Sequence, residues 1–316
     1  MQERNNELSR REFTRTTLNG VAAMMTVNYA QNSAAKTGNR IHLGGPVFAD
    51  YHSPEEWVNA VKALGYSAAY CPVDANADEK TVQAYAVAAE KSGIIIAEVG
   101  VWNNPLAADA EERRQALEKC RVQLYLAERI GARCCVNISG SRGRLWDGPD
   151  RLNLTRETFD MIVEITRSII DAVNPKRTFF TLEPMPWAYP DSPDSYLELL
   201  KAIDRKQCAA HLDPVNMINS PRRYYDNAEF LRECFKKLGP HLKSIHAKDI
   251  ILQTKLTVHL DEIVAGQGGL DYRTFLTEAA KLGNIPFMLE HLQTPAEYEQ
   301  AAGYVRSVAG ELGLEY

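Results

Sequence analysis

The sequence predicts a closed (β/α)8 barrel of the TIM type. Three observations carry that expectation. From Arg40 onward, short apolar or β-branched runs alternate with segments of helical period, the pattern of parallel strands joined by crossover helices. Eight such units follow one another, the number that closes a barrel. Most of the helical segments stop at a glycine, which can adopt the left-handed conformation that ends a helix.

In chain order, Ile41 to Phe48 opens the sheet and is followed by a helix from Pro54 to Leu64, with Ser53 placed to cap it and Gly65 to end it. The strand Ser67 to Val73 leads into a helix over Glu79 to Lys91, closed by Gly93. Ile94 to Trp102 leads into Ala110 to Ile130 and Gly131, and Arg133 to Ser139 into Arg156 to Val173. Thr178 to Pro184 precedes Asp194 to Ile203, where Ser192 before Pro193 is the start signal. Cys208 to Val215 precedes Asn227 to Leu238 and Gly239. Leu242 to Lys248 is followed by an inserted connection, Ile251 to Gly269, then by Tyr272 to Leu282 and Gly283. Pro286 to His291 and Ala296 to Leu312 complete the set. A doubly wound open sheet would place a G-x-G-x-x-G phosphate turn after its first strand. Here Gly44-Gly45-Pro46 lies inside that strand instead.

Residues 36–316 are read as the barrel, and residues 1–35 as a twin-arginine export signal. Ser9-Arg10-Arg11-Glu12-Phe13 supplies the basic region, Leu18 to Ala30 a mildly apolar one, and Ser33, Ala34 and Ala35 the small residues of a cleavage site. The expectation is a periplasmic or otherwise exported protein; a cytoplasmic one is the alternative. The 316 residues are 45% hydrophobic and 24% charged, a globular composition with no apolar run near the roughly 18 residues of a membrane span. A net charge of −5 offers no basic stripe for phosphates, which argues against nucleic acid and for a small polar partner. The six cysteines show no C-x-x-C spacing and are expected to be free thiols.

Four late strands each place one metal-ligand residue near the C-terminal end: Thr-Leu-Glu183-Pro, His-Leu-Asp213-Pro, Ile-His246-Ala-Lys and Met-Leu-Glu290-His. In such barrels catalytic groups come from the ends of several strands at that rim. Asp213 follows Glu183 by 30 residues and His246 follows Asp213 by 33, one strand–helix repeat each; Glu290 comes 44 later, one repeat plus the insertion. Three carboxylates brought together repel unless a cation compensates them. Three oxygens and one imidazole form a mostly hard donor set, for which Mn is preferred over Mg, Co and Zn.

The strings Leu-Glu183-Pro-Met-Pro-Trp187, His-Leu-Asp213-Pro-Val-Asn216 and Ser-Ile-His246-Ala-Lys248-Asp249, with Gly266-Gln-Gly268 before a helix, resemble the xylose isomerase-like barrel superfamily over about Ile41 to the end. Within it they are similar to the sugar phosphate isomerase/epimerase group, which includes ketose 3-epimerases and inosose dehydratase. The resemblance implies one divalent metal held by Glu183, Asp213, His246 and Glu290, with Glu183 and Glu290 doubling as the acid/base pair. It also implies a small-molecule carbohydrate substrate and is compatible with a homo-oligomer. Such a pair would remove and return a proton next to a sugar carbonyl through an enediolate. The sequence departs from the ketose epimerase pattern at Asn216, where those enzymes carry histidine, and at Leu252, where they carry arginine. His246-Ala-Lys248-Asp249 is closer to inosose dehydratase.

The resulting expectation is a metal-dependent sugar isomerase or epimerase. A keto-sugar lyase or dehydratase acting by β-elimination is the alternative, and a non-catalytic sugar-binding barrel a second one. An apurinic-site endonuclease of the same superfamily would need many histidine ligands and a basic groove, which seven scattered histidines on an acidic chain do not supply. Lys248, His211, Trp187, Asn216 and Glu98 are the candidate substrate contacts. Lys248 lies two residues past His246, and His211 two before Asp213, so each shares a face with a ligand. Trp187 and Trp102 follow strand ends and can stack on a sugar ring. Glu98, inside a strand, needs a buried partner or a sugar hydroxyl. Arg142, His52, His259 and His291 are further rim candidates.

Overall fold

The computed structural model describes residues 39–316; the segment read as an export signal lies outside the described residues. The chain runs β1 (His42–Gly45), α1 (Pro54–Ala63), β2 (Ala68–Ala69), α2 (Glu79–Ser92), β3 (Ile95–Ile96), β4 (Glu98–Gly100), α3 (Ala110–Ile130), β5 (Cys134–Asn137), α4 (Arg156–Val173), β6 (Phe180–Leu182), α5 (Pro193–Ile203) and β7 (Cys208–Leu212). Two short helices, α6 (Pro214–Met217) and α7 (Pro221–Tyr225), precede α8 (Asn227–Leu238). Then come β8 (Leu242–Ala247), β9 (Asp249–Leu252), β10 (Leu260–Ile263), α9 (Tyr272–Lys281), β11 (Pro286–Leu289) and α10 (Pro295–Glu311).

The main sheet is parallel, in the order β3-β2-β1-β11-β8-β7-β6-β5-β4. Its two ends are halves of one strand. β3 pairs with β2 and β4 with β5, and between them Ala97 donates its N–H to Ala69 O at 2.8 Å while its carbonyl accepts from Cys134 N at 3.3 Å. Counting the interrupted strand once gives eight, and the barrel closes as the repeat count predicts.

Inside the barrel, Met288 fills space left by small residues. It packs with Ala68 and Ala97, and a Cβ at Gly44 would run into the Met288 sulfur and the Ala68 carbonyl. The larger apolar core lies between strands and helices, around Trp57, Leu124, Phe180, Tyr196, Phe275 and Phe287. Helix bounds fall within a residue of those expected, because caps mark them. Ser53 and Ser192 accept from Glu56 and Ser195 backbone N–H groups, and Gly93 and Gly131 end α2 and α3 at φ 68° and 77°. Gly239 differs: at φ −45° it stays right-handed and continues α8 into a 3-10 turn, where the sequence suggested a left-handed stop.

Two features bear on the rim. Between Ala210 and His211 the β7–β8 register shifts, and the His211 N–H freed there donates to the Tyr196 hydroxyl at 2.9 Å. Tyr196, fully buried on α5, also hydrogen-bonds the Leu182 carbonyl, and so ties β6 to β7 just before both reach the rim. The connection expected as an insertion forms an antiparallel ribbon, β9–β10, with Glu262 opposite Ile250. The six cysteines are free. Among the described residues no helix is long and apolar enough to cross a membrane.

Candidate metal centre

A two-residue side-chain period places Ser244, His246 and Lys248 on the inward face of the eighth-strand neighbour β8 and its continuation. Glu183, Asp213 and Glu290 stand one residue beyond β6, β7 and β11. Each of the four ligand candidates offers an atom within 4.8 Å of the others. Glu183, Asp213 and His246 are buried, and the Glu290 side chain is 13% exposed.

His246 is held so that one nitrogen faces the carboxylates. Its Nε2 lies 2.8 Å from Glu98 Oε1, leaving Nδ1 toward the cluster, 2.9 Å from Glu290 Oε2 and 3.3 Å from Glu183 Oε1. His211 Nε2 meets the other Glu98 oxygen at 3.2 Å. A carboxylate behind an imidazole fixes the tautomer whose free nitrogen can bind a cation. Burial raises the Glu98 carboxyl, but His246 and His211 outweigh it and hold the group well below the usual carboxylate range. Burial lowers His246, yet Glu290, Glu98 and Glu183 hold it well above an ordinary imidazole.

Asn216 orders the other side. Its amide donates to Glu183 Oε1 at 3.1 Å and to the Pro184 carbonyl at 3.0 Å, and its Oδ1 accepts from Lys248 Nζ at 3.1 Å. Its backbone N–H donates to Asp213 Oδ1 at 3.2 Å, so Asp213 caps α6. The Lys248 ammonium lies 2.6 Å from Asp213 Oδ2, 2.9 Å from Glu262 Oε1 and 3.5 Å from Glu290 Oε2. Burial lowers Lys248, but these carboxylates, Asp213 foremost, raise it well above a free lysine.

The negative charge exceeds what these cations balance. Burial, against the pull of Lys248 and with the push of Glu183 and Glu290, raises Asp213 to about 7. Asp213 Oδ2 and Glu290 Oε2 are also buried without an aligned hydrogen-bond donor, although Lys248 and His246 lie near them. Two orphaned carboxylate oxygens, an imidazole nitrogen whose proton a cation would displace and surplus negative charge at one point fit a divalent cation.

Not every rim candidate joins the cluster. Lys248 and Asn216 are in it. Glu98 and His211 are 1% and 0% exposed and stand behind His246, and Glu98 also lines a smaller cavity of about 520 Å³ with Tyr70 and Tyr298. Trp187 lines the main cavity, of about 860 Å³, together with Trp102, Trp146, Glu183, Glu262 and Glu290. Arg142 turns away to Glu157, Thr158 and Met161. His291 approaches, at 3.3 Å from Lys248 Nζ. Glu262 was not anticipated. It bridges Lys248 and His291 Nδ1, each at 2.9 Å, and although burial raises it these two partners bring it down to about 2. Leu260-Asp261-Glu262-Ile263 carries no two-residue alternation that would mark a strand or assign Glu262 a side, so the sequence holds no local signal for it.

A model of the xylose isomerase-like TIM barrel family matches residues 58–308. Solved structures resemble the chain at low identity. A xylose isomerase-like TIM barrel protein from Mycobacterium smegmatis in complex with magnesium is 16% identical, with a TM-score of 0.61 over 89% of this chain and 99% of that one. D-psicose 3-epimerase with D-tagatose from Clostridium cellulolyticum H10 is 14% identical, with a TM-score of 0.60 over 85% and 99%. The probable 3-DHS dehydratase AsbF from Bacillus anthracis is 15% identical, with a TM-score of 0.64 over 85% and 98%. No curated protein is a significant sequence match.

Proposed function

The chain belongs to the xylose isomerase-like TIM barrel family, and on that premise we propose that it is a divalent-metal-dependent sugar isomerase or epimerase that works by removing a proton next to a carbonyl. The observation that carries this reading is the convergence of Glu183, Asp213, His246 Nδ1 and Glu290 within 4.8 Å at the rim. These four would hold the ion, with Mn preferred for the donor set and Mg, Co or Zn as the alternatives. A divalent ion supplies positive charge that stabilises the oxyanion of an enolised sugar.

The protein's own groups do the rest. Glu183 and Glu290 come from different strands, β6 and β11, and are the carboxylates that take the α-proton and return it. Delivery of the proton to the neighbouring carbon of the enediolate isomerises; return to the same carbon from the opposite face epimerises. Asn216 keeps Glu183 from swinging. Trp102, Trp146 and Trp187 give the cavity faces on which a sugar ring stacks and from which water is excluded.

Lys248 favours a second reading, a keto-sugar lyase or dehydratase. Its ammonium reaches the cluster 3.5 Å from Glu290 and 3.3 Å from His291. If a leaving group sits β to the carbonyl, a carboxylate takes the α-proton, the electron pair forms the double bond, and Lys248 protonates the departing oxygen. The dehydratase AsbF shares this fold, as does the psicose epimerase. Both readings require enolisation. Purified protein loaded with Mn is incubated in deuterium oxide with keto-hexoses and 3-keto-glycosides, and deuterium at the α-carbon is followed by mass spectrometry. Exchange is expected, with Glu290→Gln slowing it at least about 100-fold. A lack of exchange with every compound would leave the sugar-binding barrel as the better account, especially where Glu290→Gln keeps sugar affinity within a few-fold.

A further inference from the structure

Beyond the ligand cluster, the main cavity is larger and more apolar than one sugar ring requires. Its volume of about 860 Å³ lies toward the upper end of the roughly 300–1,000 Å³ that buries a drug-sized ligand. Away from the carboxylates its wall includes Ile138, Met185, Pro186, Ile218, Trp146 and Trp187. Trp102, Trp146 and Trp187 keep 37%, 38% and 38% of their surface exposed.

This wall is built, not draped. Trp187 Nε1 donates to the Asp147 carbonyl at 2.8 Å, which joins the loop after β6 to the loop after β5 and satisfies the indole N–H, leaving the ring as contact surface. The loop that carries Trp146 is anchored from below. Asn104, 5% exposed, donates to the Ser141 carbonyl at 2.9 Å and accepts from the Ser141 N–H at 3.0 Å. Asn153, 0% exposed, accepts from Arg142 N–H at 2.9 Å and donates to the Gly148 carbonyl at 3.1 Å. Such buried, satisfied amides hold a loop in one conformation. Among the described residues no lysine or arginine lines this cavity, whereas Asp147, Glu183, Glu262 and Glu290 do. A phosphate or carboxylate on the substrate would therefore meet acidic neighbours and no guanidinium fork.

We infer that the substrate is a neutral glycoside with an aromatic or otherwise apolar aglycone, the sugar at the carboxylate end and the aglycone against Trp146 and Trp187. The inference rests on the sugar-enolising reading above and adds the class of the second half of the substrate. Aromatic stacking on a pre-formed wall adds affinity at little ordering cost.

Calorimetric titration of the Mn-loaded, full-length protein with methyl and phenyl 3-keto-glucosides and with glucose 6-phosphate tests it. The phenyl compound is expected to bind at least about tenfold more tightly than the methyl one, and the phosphate no better than the methyl compound. Trp187→Ala and, separately, Trp146→Ala should each shrink the phenyl preference, lowering phenyl-compound affinity by more than methyl-compound affinity; circular dichroism reports whether each variant is folded. Equal affinities for the two glucosides, no binding of either, or tighter binding of the phosphate would overturn the inference. Deuterium exchange separates the two failures. A phenyl preference without exchange removes the enolising reading alone, and exchange without a phenyl preference removes the aglycone alone.

Discussion

At the residue scale the fate of Glu98 is the most instructive. A carboxylate inside a barrel strand invites a substrate role, but it is satisfied by two histidines, one on β7 and one on β8. Its effect on a bound ion would pass through His246: the ring orientation, the choice of tautomer and the basicity of Nδ1 all depend on the Nε2 contact. Glu98→Gln replaces one acceptor oxygen by an NH2 group that faces an imidazole N–H. Metal titration of the refolded or native variant should show affinity lowered by about 10–100-fold, with α-helical content unchanged. An unchanged affinity would mean that Glu98 is a packing group only. Lys248 was legible as a rim residue because strand alternation assigns it a side, and Asn216 because the family pattern marks the position three residues after Asp213. Glu262 was not, since its position depends on how a ribbon folds back.

At the scale of the element, that ribbon is held by Asp249. Lys248 points into the cluster, so its neighbour points the other way. There the Asp249 carboxylate accepts from the backbone N–H groups of Ile250, Gly266, Gly268 and Leu270, at 2.8, 2.8, 3.1 and 3.0 Å. Gly268 permits the approach: a Cβ there would run into Asp249 Oδ1 and the Ile250 carbonyl. This explains physically why glycines precede α9, which the sequence showed only as a familiar turn. Asp249→Ala strands several buried backbone donors and should cost about 3–5 kcal/mol in urea unfolding. It should also release Glu262 from Lys248, because the latch joins the two ends of the β9–β10 excursion. A loss below about 1 kcal/mol would show that water replaces the carboxylate without penalty.

At the scale of the whole molecule, four barrel strands, β4, β6, β7 and β11, and the ribbon strand β10 bring acidic groups together at one end. The repulsion among them is a cost of folding that a bound cation offsets. With metal at about 100 times its dissociation constant, binding adds roughly 2.7 kcal/mol, so removing it with a chelator should lower the calorimetric midpoint by about 4–8 °C. Adding Mn back should restore it, and Glu290→Gln should blunt the response; a midpoint indifferent to chelator and Mn would speak against a resident ion. The sequence by itself determined the eightfold repeat, the helix bounds and the four strand-end ligand candidates, because caps, glycines and side-chain alternation are local and each reads out over a few residues. Only the tertiary structure decided that the strand read as Ile94 to Trp102 is interrupted at Ala97 into β3 and β4, that Glu98 and His211 stand behind His246, and that Glu262 returns to Lys248. Those outcomes depend on strand register and on how the chain closes and folds back, which set Glu98 against His246 across 148 positions, and no local pattern encodes which residues will meet.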